Sequence, residues 1–241
     1  MRLDNYLVQK GFFESRNKAQ DAIKNALILV NKKEITKPSF KVANSDIVEV
    51  KEHKFYVSRA ALKLEEYLKE YNLDVKDLLV LDVGSSTGGF SQILIENGAK
   101  EIDCVDVGSN QLHKTLRQNP KINLFENCDI RDFKSDKSYD LIVSDVSFIS
   151  LLKIVDSINN LAKVGTKIVL LFKPQFEVGK NAKRNSKGVV IDKSEIAKAK
   201  KNFLEYTKRL NWRLLDTKES KISGKDGNIE YFYTFIKDGF E

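Results

Sequence analysis

Cysteine and histidine are scarce in this chain of 241 residues, with two of each. Cys104 and Cys128 stand far apart and form no C-x-x-C pair, which excludes a disulfide framework and a cysteine-based zinc site. Both read as small buried apolar side chains. Two histidines, His53 and His113, are too few for a histidine-based metal centre, so no metal is expected. Long apolar runs are also missing: none approaches the roughly 18 residues that a membrane helix needs. The opening Met1-Arg2-Leu3-Asp4-Asn5-Tyr6 has no apolar signal-peptide core. A cytoplasmic protein with no membrane partner is expected. Internal repeats and low-complexity segments are absent too. What is present is a 41% hydrophobic content, enough for one good-sized core and a small satellite domain.

Positive charge is in excess, at +7 with a pI near 9.1, which favours a polyanionic partner. Residues 1–54 hold eleven Lys/Arg against seven acids, a net +4. The remaining 187 residues contribute only +3, so the basic character is read as concentrated at the front.

In that front segment, Leu3, Leu7 and Val8 share a helical face that stops near Gly11. Ser15 reads as the N-cap of a second helix over Arg16–Asn25, with Ala19, Ala22 and Ile23 inward. Two short strands, Ala26–Val30 and Asp46–Val50, flank a turn at Asn31-Lys32-Lys33. The helices would display Arg16, Lys18 and Lys24. Glu52-His53-Lys54-Phe55-Tyr56 reads as a linker, and Ser58 as the cap of a helix running to about Glu70 that carries Arg59 and Lys63.

The chain is organised around Leu78-Leu79-Val80-Leu81-Asp82-Val83 and the turn that follows, Gly84-Ser85-Ser86-Thr87-Gly88-Gly89-Phe90. An aliphatic run without turn formers reads as a strand buried on both faces. Strand, glycine turn and helix together form the entry to a nucleotide-binding α/β domain. The G-x-x-x-G-G spacing is neither G-x-G-x-x-G nor a Walker A loop. It suits a methyltransferase whose S-adenosylmethionine lies along the turn, although such a turn can also serve helix–strand packing alone.

Regular βα alternation follows, with strands expected at Ile102–Val107, Asn123–Asn127, Tyr139–Ser144, Lys167–Phe172, Trp212–Glu219 and Tyr231–Ile236. Helices are expected at Gln111–Arg117, Phe148–Leu161 and Ser194–Arg209. The fold class is therefore α/β: a doubly wound, mostly parallel seven-stranded Rossmann-like sheet behind a small α+β module, with domains at 1–54 and 55–241. Three acids stand where a nucleoside could be read. Asp82 borders the turn, Asp106 lies 22 residues after Gly84 and suits ribose hydroxyls, and Asp129 follows the third strand near an adenine amino group. Each could alternatively cap a loop. Asp145 follows the fourth strand. Lys173 ends the fifth between Phe172 and Pro174, which would desolvate it. The loop 179–188 adds Lys180, Lys183, Arg184 and Lys187, which could clamp an RNA backbone or simply be solvated.

Several of these stretches carry a resemblance. Arg2-Leu3-Asp4, Ser15-Arg16-x-x-Ala19 and Ile28-x-Val30-Asn31 are similar to the S4 RNA-binding domain. Ser58-Arg59-Ala60-Ala61-x-Lys63-Leu64, Asp82-Val83-Gly84-x-Ser86-Thr87-Gly88-Gly89-Phe90, Ser144-Asp145-x-Ser147-Phe148-Ile149-Ser150, Lys173-Pro174-Gln175-Phe176-Glu177 and Gly227-Asn228-x-Glu230-Tyr231 resemble the TlyA family. Members of that family are ribosomal RNA 2′-O-methyltransferases often labelled hemolysins, and their catalytic half is similar to the FtsJ/RrmJ group. Thr87 stands where the FtsJ group usually has proline and matches TlyA.

The resemblance implies a tetrad of Lys63, Asp145, Lys173 and Glu230, and a cofactor site of Asp82, Gly84, Ser85, Ser86, Thr87, Gly88, Gly89, Phe90, Asp106, Asp129 and Asp145. It also implies S-adenosylmethionine as methyl donor and a ribosomal RNA cytidine as acceptor. The large-subunit 23S RNA is favoured and 16S RNA is the alternative. RNA contacts are expected from Arg2, Arg16, Lys18, Lys24, Arg59, Lys180, Lys183 and Arg184. A monomer is favoured. A lysine can serve as general base once a substantial fraction of it is uncharged, and Lys173 is expected nearest the hydroxyl, with Lys63 as second cation and Glu230 orienting. Three other readings compete: an RNA-binding ribosome assembly factor without essential chemistry, a cytolysin, and a nucleotide-dependent dehydrogenase.

Overall fold

The computed structural model describes residues 1–51, 55–224 and 226–239; the linker residues Glu52, His53 and Lys54 lie outside the described residues. Two units are distinguished, Met1–Phe55 and Tyr56–Glu241.

In the first unit, helices α1 (Leu3–Gln9) and α2 (Arg16–Lys24) share a core with a three-stranded antiparallel sheet. Its strands are β1 (Ile28–Val30), β2 (Lys33–Glu34) and β3 (Val48–Val50), in the order β2-β1-β3. Leu3, Leu7, Ala19, Ala22, Ile23 and Ile28 fill the interior. Ser15 caps α2 by accepting from Lys18 N. The turn residues Asn31 and Lys32 both have positive φ, the geometry of a tight hairpin whose twist matches its strands; this adds the short β2 to the two strands expected. One buried carboxylate organises the surface. Asp4, fully shielded, accepts from Arg2 Nε at 3.0 Å, Arg16 Nε at 2.9 Å and Gln20 Nε2 at 2.8 Å.

The second unit opens with α3 (Arg59–Tyr71), β4 (Leu79–Val83), α4 (Gly89–Glu96), β5 (Glu101–Val105), α5 (Lys114–Arg117), β6 (Ile122–Phe125) and β7 (Tyr139–Ser144). A single 3-10 turn (Leu151–Lys153) precedes α6 (Val155–Leu161), β8 (Ala162–Phe172), α7 (Pro174–Glu177), α8 (Lys193–Arg209), β9 (Trp212–Glu219) and β10 (Tyr231–Lys237). The seven strands run in the order β6-β5-β4-β7-β8-β10-β9. Pairings from β6 through β8 are parallel, while β10 lies antiparallel to both β8 and β9. Alternate residues feed opposite faces. Leu81, Ile142 and Leu170 pack with Ile158 of α6 and Phe203 of α8, whereas Val80, Val143 and Val169 pack with Leu64 of α3 and Ile93 of α4. Helices on both faces of a mainly parallel sheet make it doubly wound.

Three elements depart from the sequence reading. β8 begins at Ala162 rather than Lys167, because Gly165 (φ +89°) bends the strand without ending it and Thr166 Oγ1 donates to Tyr139 O at 2.6 Å. The helix expected over Gln111–Arg117 shrinks to Lys114–Arg117; the Gln111 side chain is drawn to Ser86 Oγ, and Asn110 sits at φ +55°. The helix expected from Phe148 begins only at Val155, since Phe148 is at φ +65° and Ser150 caps the 3-10 turn instead.

Where α3 and α4 pack, Gly89 is required by space. A Cβ there would sit 2.8 Å from both Ala60 Cβ and Ala61 N and against Ser58 Oγ. Replacing Gly89 with alanine is expected to cost about 1–3 kcal/mol, read as a lower urea midpoint at unchanged slope.

Candidate active site

The sheet edge formed by the carboxyl ends of β4 to β8 opens into a cavity of about 1250 Å³. One wall is the turn after β4. Gly84 is at φ +77°, and a Cβ there would meet Val146 Cγ1 at 2.7 Å; Gly88 is at φ +90° against Leu112 and Leu116. Only glycine tolerates both the backbone conformation and the crowding. Ser86 N donates to Asp106 Oδ2 at 2.8 Å, and Gly108 N donates to Asp106 Oδ1 at 2.7 Å. Asp106 therefore braces the turn as well as facing the cavity. Asp129 also lines the cavity, with both oxygens held by the Arg131 guanidinium at 2.9 and 2.6 Å. Phe90 and Thr87 complete this wall.

The opposite part of the cavity brings Lys63, Asp145, Lys173 and Glu230 together as two ion pairs. Lys63 Nζ donates to Glu230 Oε2 at 2.6 Å, and Lys173 Nζ lies 2.6 Å from Asp145 Oδ1. The four side chains are between 2 and 14% exposed. Lys173 also donates to Ser147 Oγ at 2.8 Å. The pairs are electrostatic neighbours: burial pushes the Asp145 carboxyl up, Lys173 and then Lys63 pull it down, and Glu230 adds to the rise. Glu230 Oε1 accepts from Gln175 Nε2 at 3.1 Å, and Gly224 leaves it room, since a Cβ there would approach to 2.6 Å.

A distinctive feature of the cavity is its unmet hydrogen bonding. Among the described residues, five buried side-chain atoms lack a hydrogen-bond partner: Ser58 Oγ, Asp82 Oδ1, Ser85 Oγ, Asp145 Oδ1 and Gln175 Oε1. All five belong to residues lining this cavity. Asp145 Oδ1 nonetheless lies 2.6 Å from Lys173 Nζ, so its charge is compensated. Buried polar groups are normally satisfied, so their concentration in one place marks a site built for a polar ligand.

Ser58, read from the sequence as a helix cap, makes no capping bond; its hydroxyl lies against Gly89 instead. Ser147 and Gln175 are further wall residues that the sequence reading did not single out. Cys104 is buried as expected, whereas Cys128 is half-buried and lines the cavity. The predicted RNA contacts divide. Arg59 Nη2 donates to Ser223 O at 2.6 Å, holding the loop before Glu230. Arg184 and Lys187 line the cavity, while Lys180 and Lys183 are exposed. In the first unit, Arg2 and Arg16 stand half-exposed on Asp4, Lys18 pairs with Glu14, and Lys24 is exposed. The mouth carries an unusual aromatic: Phe148 is 91% exposed, with its ring 5.3 Å from that of Phe176.

Residues 56–237 match the FtsJ-like methyltransferase family and residues 1–48 match the S4 domain. The chain is 48% identical to a 23S rRNA (cytidine-2′-O)-methyltransferase TlyA of Campylobacter jejuni, over 99% of this chain and 100% of that protein. It is 37% identical to a protein named Hemolysin A of Brachyspira hyodysenteriae, over 98% and 100%. A solved structure named as a hemolysin, from Streptococcus thermophilus, is 33% identical with a TM-score of 0.73, covering 99% of this chain and 88% of that one.

Asp82 gives the site a measurable signature. Its carboxyl accepts from Ser91 Oγ at 2.5 Å. Burial, with smaller pushes from Asp145 and Asp106, raises its pKa to about 7 from an ordinary 3.8. Between those values the folded protein keeps a proton that the unfolded chain releases. Stability therefore falls as pH rises from 4 to 7, and the loss is complete above 7. The effect has an upper size of about 4 kcal/mol. Asp82→Asn is expected to melt above the wild type at pH 8 and no higher than it at pH 4, as scanning calorimetry across that range would measure.

Proposed function

The chain belongs to the TlyA family of FtsJ-like methyltransferases, and from that premise we propose that it methylates the ribose 2′-hydroxyl of cytidine in cytoplasmic ribosomal RNA, with large-subunit 23S RNA as the favoured target. The observation that carries this reading is the pair of buried lysine–carboxylate contacts, Lys63–Glu230 and Lys173–Asp145, facing the unsatisfied glycine-turn wall of the same cavity.

The donor set fits S-adenosylmethionine. Ser58 and Ser85 offer hydroxyls to a carboxylate, Asp82 offers an unpaired oxygen to a cation, Asp106 has remaining lone pairs for ribose hydroxyls, and Asp129 with Ile130 borders the place of an adenine. Gly84, Ser86, Thr87, Gly88, Gly89 and Phe90 supply the close backbone approach. When bound, this cofactor supplies an electrophilic methyl group on a sulfonium. The chain's own residues prepare the nucleophile. Lys173 Nζ accepts the 2′-hydroxyl proton as that oxygen attacks. Asp145 and Ser147 fix the amine, and Asp145 stabilises the ammonium that results. Lys63, held by Glu230, supplies a second positive charge that favours the developing alkoxide.

Phe148 and Phe176 present ring faces at the mouth, where an unstacked base can lie. Arg184 and Lys187 add cations for the backbone. The front unit, with Arg2 and Arg16 pre-set by Asp4, gives a second set of phosphate contacts. Some relatives carry the name hemolysin, but among the described residues no helix is long and apolar enough to cross a membrane.

Lys173→Ala should cut formation of 2′-O-methylcytidine in deproteinised ribosomal RNA by about 10²–10⁴-fold, measured by nucleoside mass spectrometry, while calorimetric binding of S-adenosylmethionine persists. Asp106→Ala should do the reverse and weaken cofactor binding about tenfold or more, equivalent to about 1.4 kcal/mol. Methylation that survives Lys173→Ala would remove this lysine from the chemistry.

A further inference from the structure

The excess positive charge is not where the front module alone would put it. The continuous stretch 180–209 holds ten Lys/Arg against Asp192, Glu195 and Glu205, a net +7. The whole chain also carries +7, so the remaining residues contain thirty-one charges of each sign. The first fifty-four residues keep their +4, but acids elsewhere in the chain offset it.

In the structure this stretch is a loop followed by α8. The two are tied by one carboxylate, since Asp192 Oδ2 accepts from Lys183 N at 3.4 Å and Asp192 Oδ1 accepts from Glu195 N at 3.2 Å. Asn228 Oδ1 takes Val190 N at 3.0 Å and fixes the loop to the segment before Glu230. Arg184 and Lys187 belong to the cavity wall. Phe203 and Thr207 turn inward from α8, and Lys200 covers the Tyr231 ring. Lys193, Lys198, Lys201, Lys208 and Arg209 remain on the solvent side, all exposed. The acids of the helix barely engage them: Glu195 is 3.7 Å from Lys198, and Glu205 is 3.8 Å from Lys201. From Lys193 to Arg209 the row extends about 24 Å.

We propose that the outer row of α8 is a second RNA-binding surface of the catalytic unit, which holds backbone phosphates of the RNA beyond the nucleotide in the cavity. The proposal rests on the methyltransferase reading of that cavity. Charge complementarity and continuity with Arg184 and Lys187 favour RNA over any other polyanion. Each phosphate neutralised by a lysine should contribute to the salt dependence of binding.

The test replaces Lys193, Lys198, Lys201 and Lys208 together with glutamine in the full chain, and with arginine in a control. Binding to a 23S RNA fragment is measured from 50 to 300 mM salt (about the range over which such slopes are resolved). The glutamine variant should bind at least about tenfold more weakly at low salt, with a log–log slope shallower by about 2–3 and a raised KM for RNA. The arginine variant should match the wild type, and both should bind S-adenosylmethionine normally. Equal RNA affinity and slope for the glutamine variant would overturn the proposal while leaving the methyltransferase reading intact. A wild-type protein that neither binds nor methylates ribosomal RNA would instead sink that reading. If the glutamine variant lost binding only to phosphatidylglycerol vesicles and kept its RNA affinity, the row would be a membrane surface and the proposal would be wrong.

Discussion

Four ionisable side chains, two of each sign, leave water together at one edge of the sheet, and the architecture of the catalytic unit depends on their compensating each other. Lys63, Asp145, Lys173 and Glu230 arrive from α3 and from the ends of β7, β8 and β10. No two are neighbours in the chain. Each charge is tolerable only because its partner is in place; removing one partner of a buried pair leaves an uncompensated charge, typically at a cost of about 3–5 kcal/mol. The backbone that delivers them must therefore be exact in register. Tyr231 pairs with Phe172 across β10 and β8, so Glu230 and Lys173 are the next positions outward on adjacent strands. Ser144 pairs with Leu170 across β7 and β8, which brings Asp145 to the same edge. A slip of one residue would turn these side chains to the opposite face.

The same edge collects everything else that the cavity uses. Asp82 is the penultimate residue of β4, Asp106 follows β5, Asp129 follows β6, and all three open to the carboxyl ends of parallel strands, where doubly wound sheets bind ligands. Glu230 precedes its strand rather than following it, and this is consistent because β10 is antiparallel: its amino end lies where the others have their carboxyl ends. One antiparallel strand thus adds a second carboxylate to the edge that the parallel strands supply. The hydrogen bonds left unmade by Ser58, Asp82, Ser85 and Gln175 are a cost of folding that a polar ligand would relieve.

Much of this was legible in the residues. The Tyr139–Ser144 and Trp212–Glu219 strands have the bounds expected of them. Asp145 and Lys173 stood out as charged residues at the ends of apolar strands, whereas Lys63 and Glu230 entered only through the family resemblance; the fold brings all four together. Where the reading failed, tertiary contacts overrode local pattern. The strand expected from Lys167 begins five residues earlier, because Gly165 is carried inside β8 with Thr166 held by Tyr139. Phe148 looked like helix and is instead an exposed residue in a left-handed conformation, because the Ser150 hydroxyl and the Glu177 carboxylate, 2.6 Å apart, tie down the next turn. Ser58 looked like a cap because its position before α3 is typical of one; that its hydroxyl is turned to the glycine turn depends on how α3 packs on α4, which no local pattern encodes.

The sheet order has a consequence for truncated chains. β10 lies between β8 and β9, yet it follows both in sequence, and Glu230 stands just before it. The glycine turn, Lys63, Asp145 and Lys173 all precede Glu230, the residue that compensates Lys63. Any fragment that stops short of residue 230 therefore leaves the buried Lys63 ammonium without its carboxylate, and the sheet without the strand that joins β8 to β9.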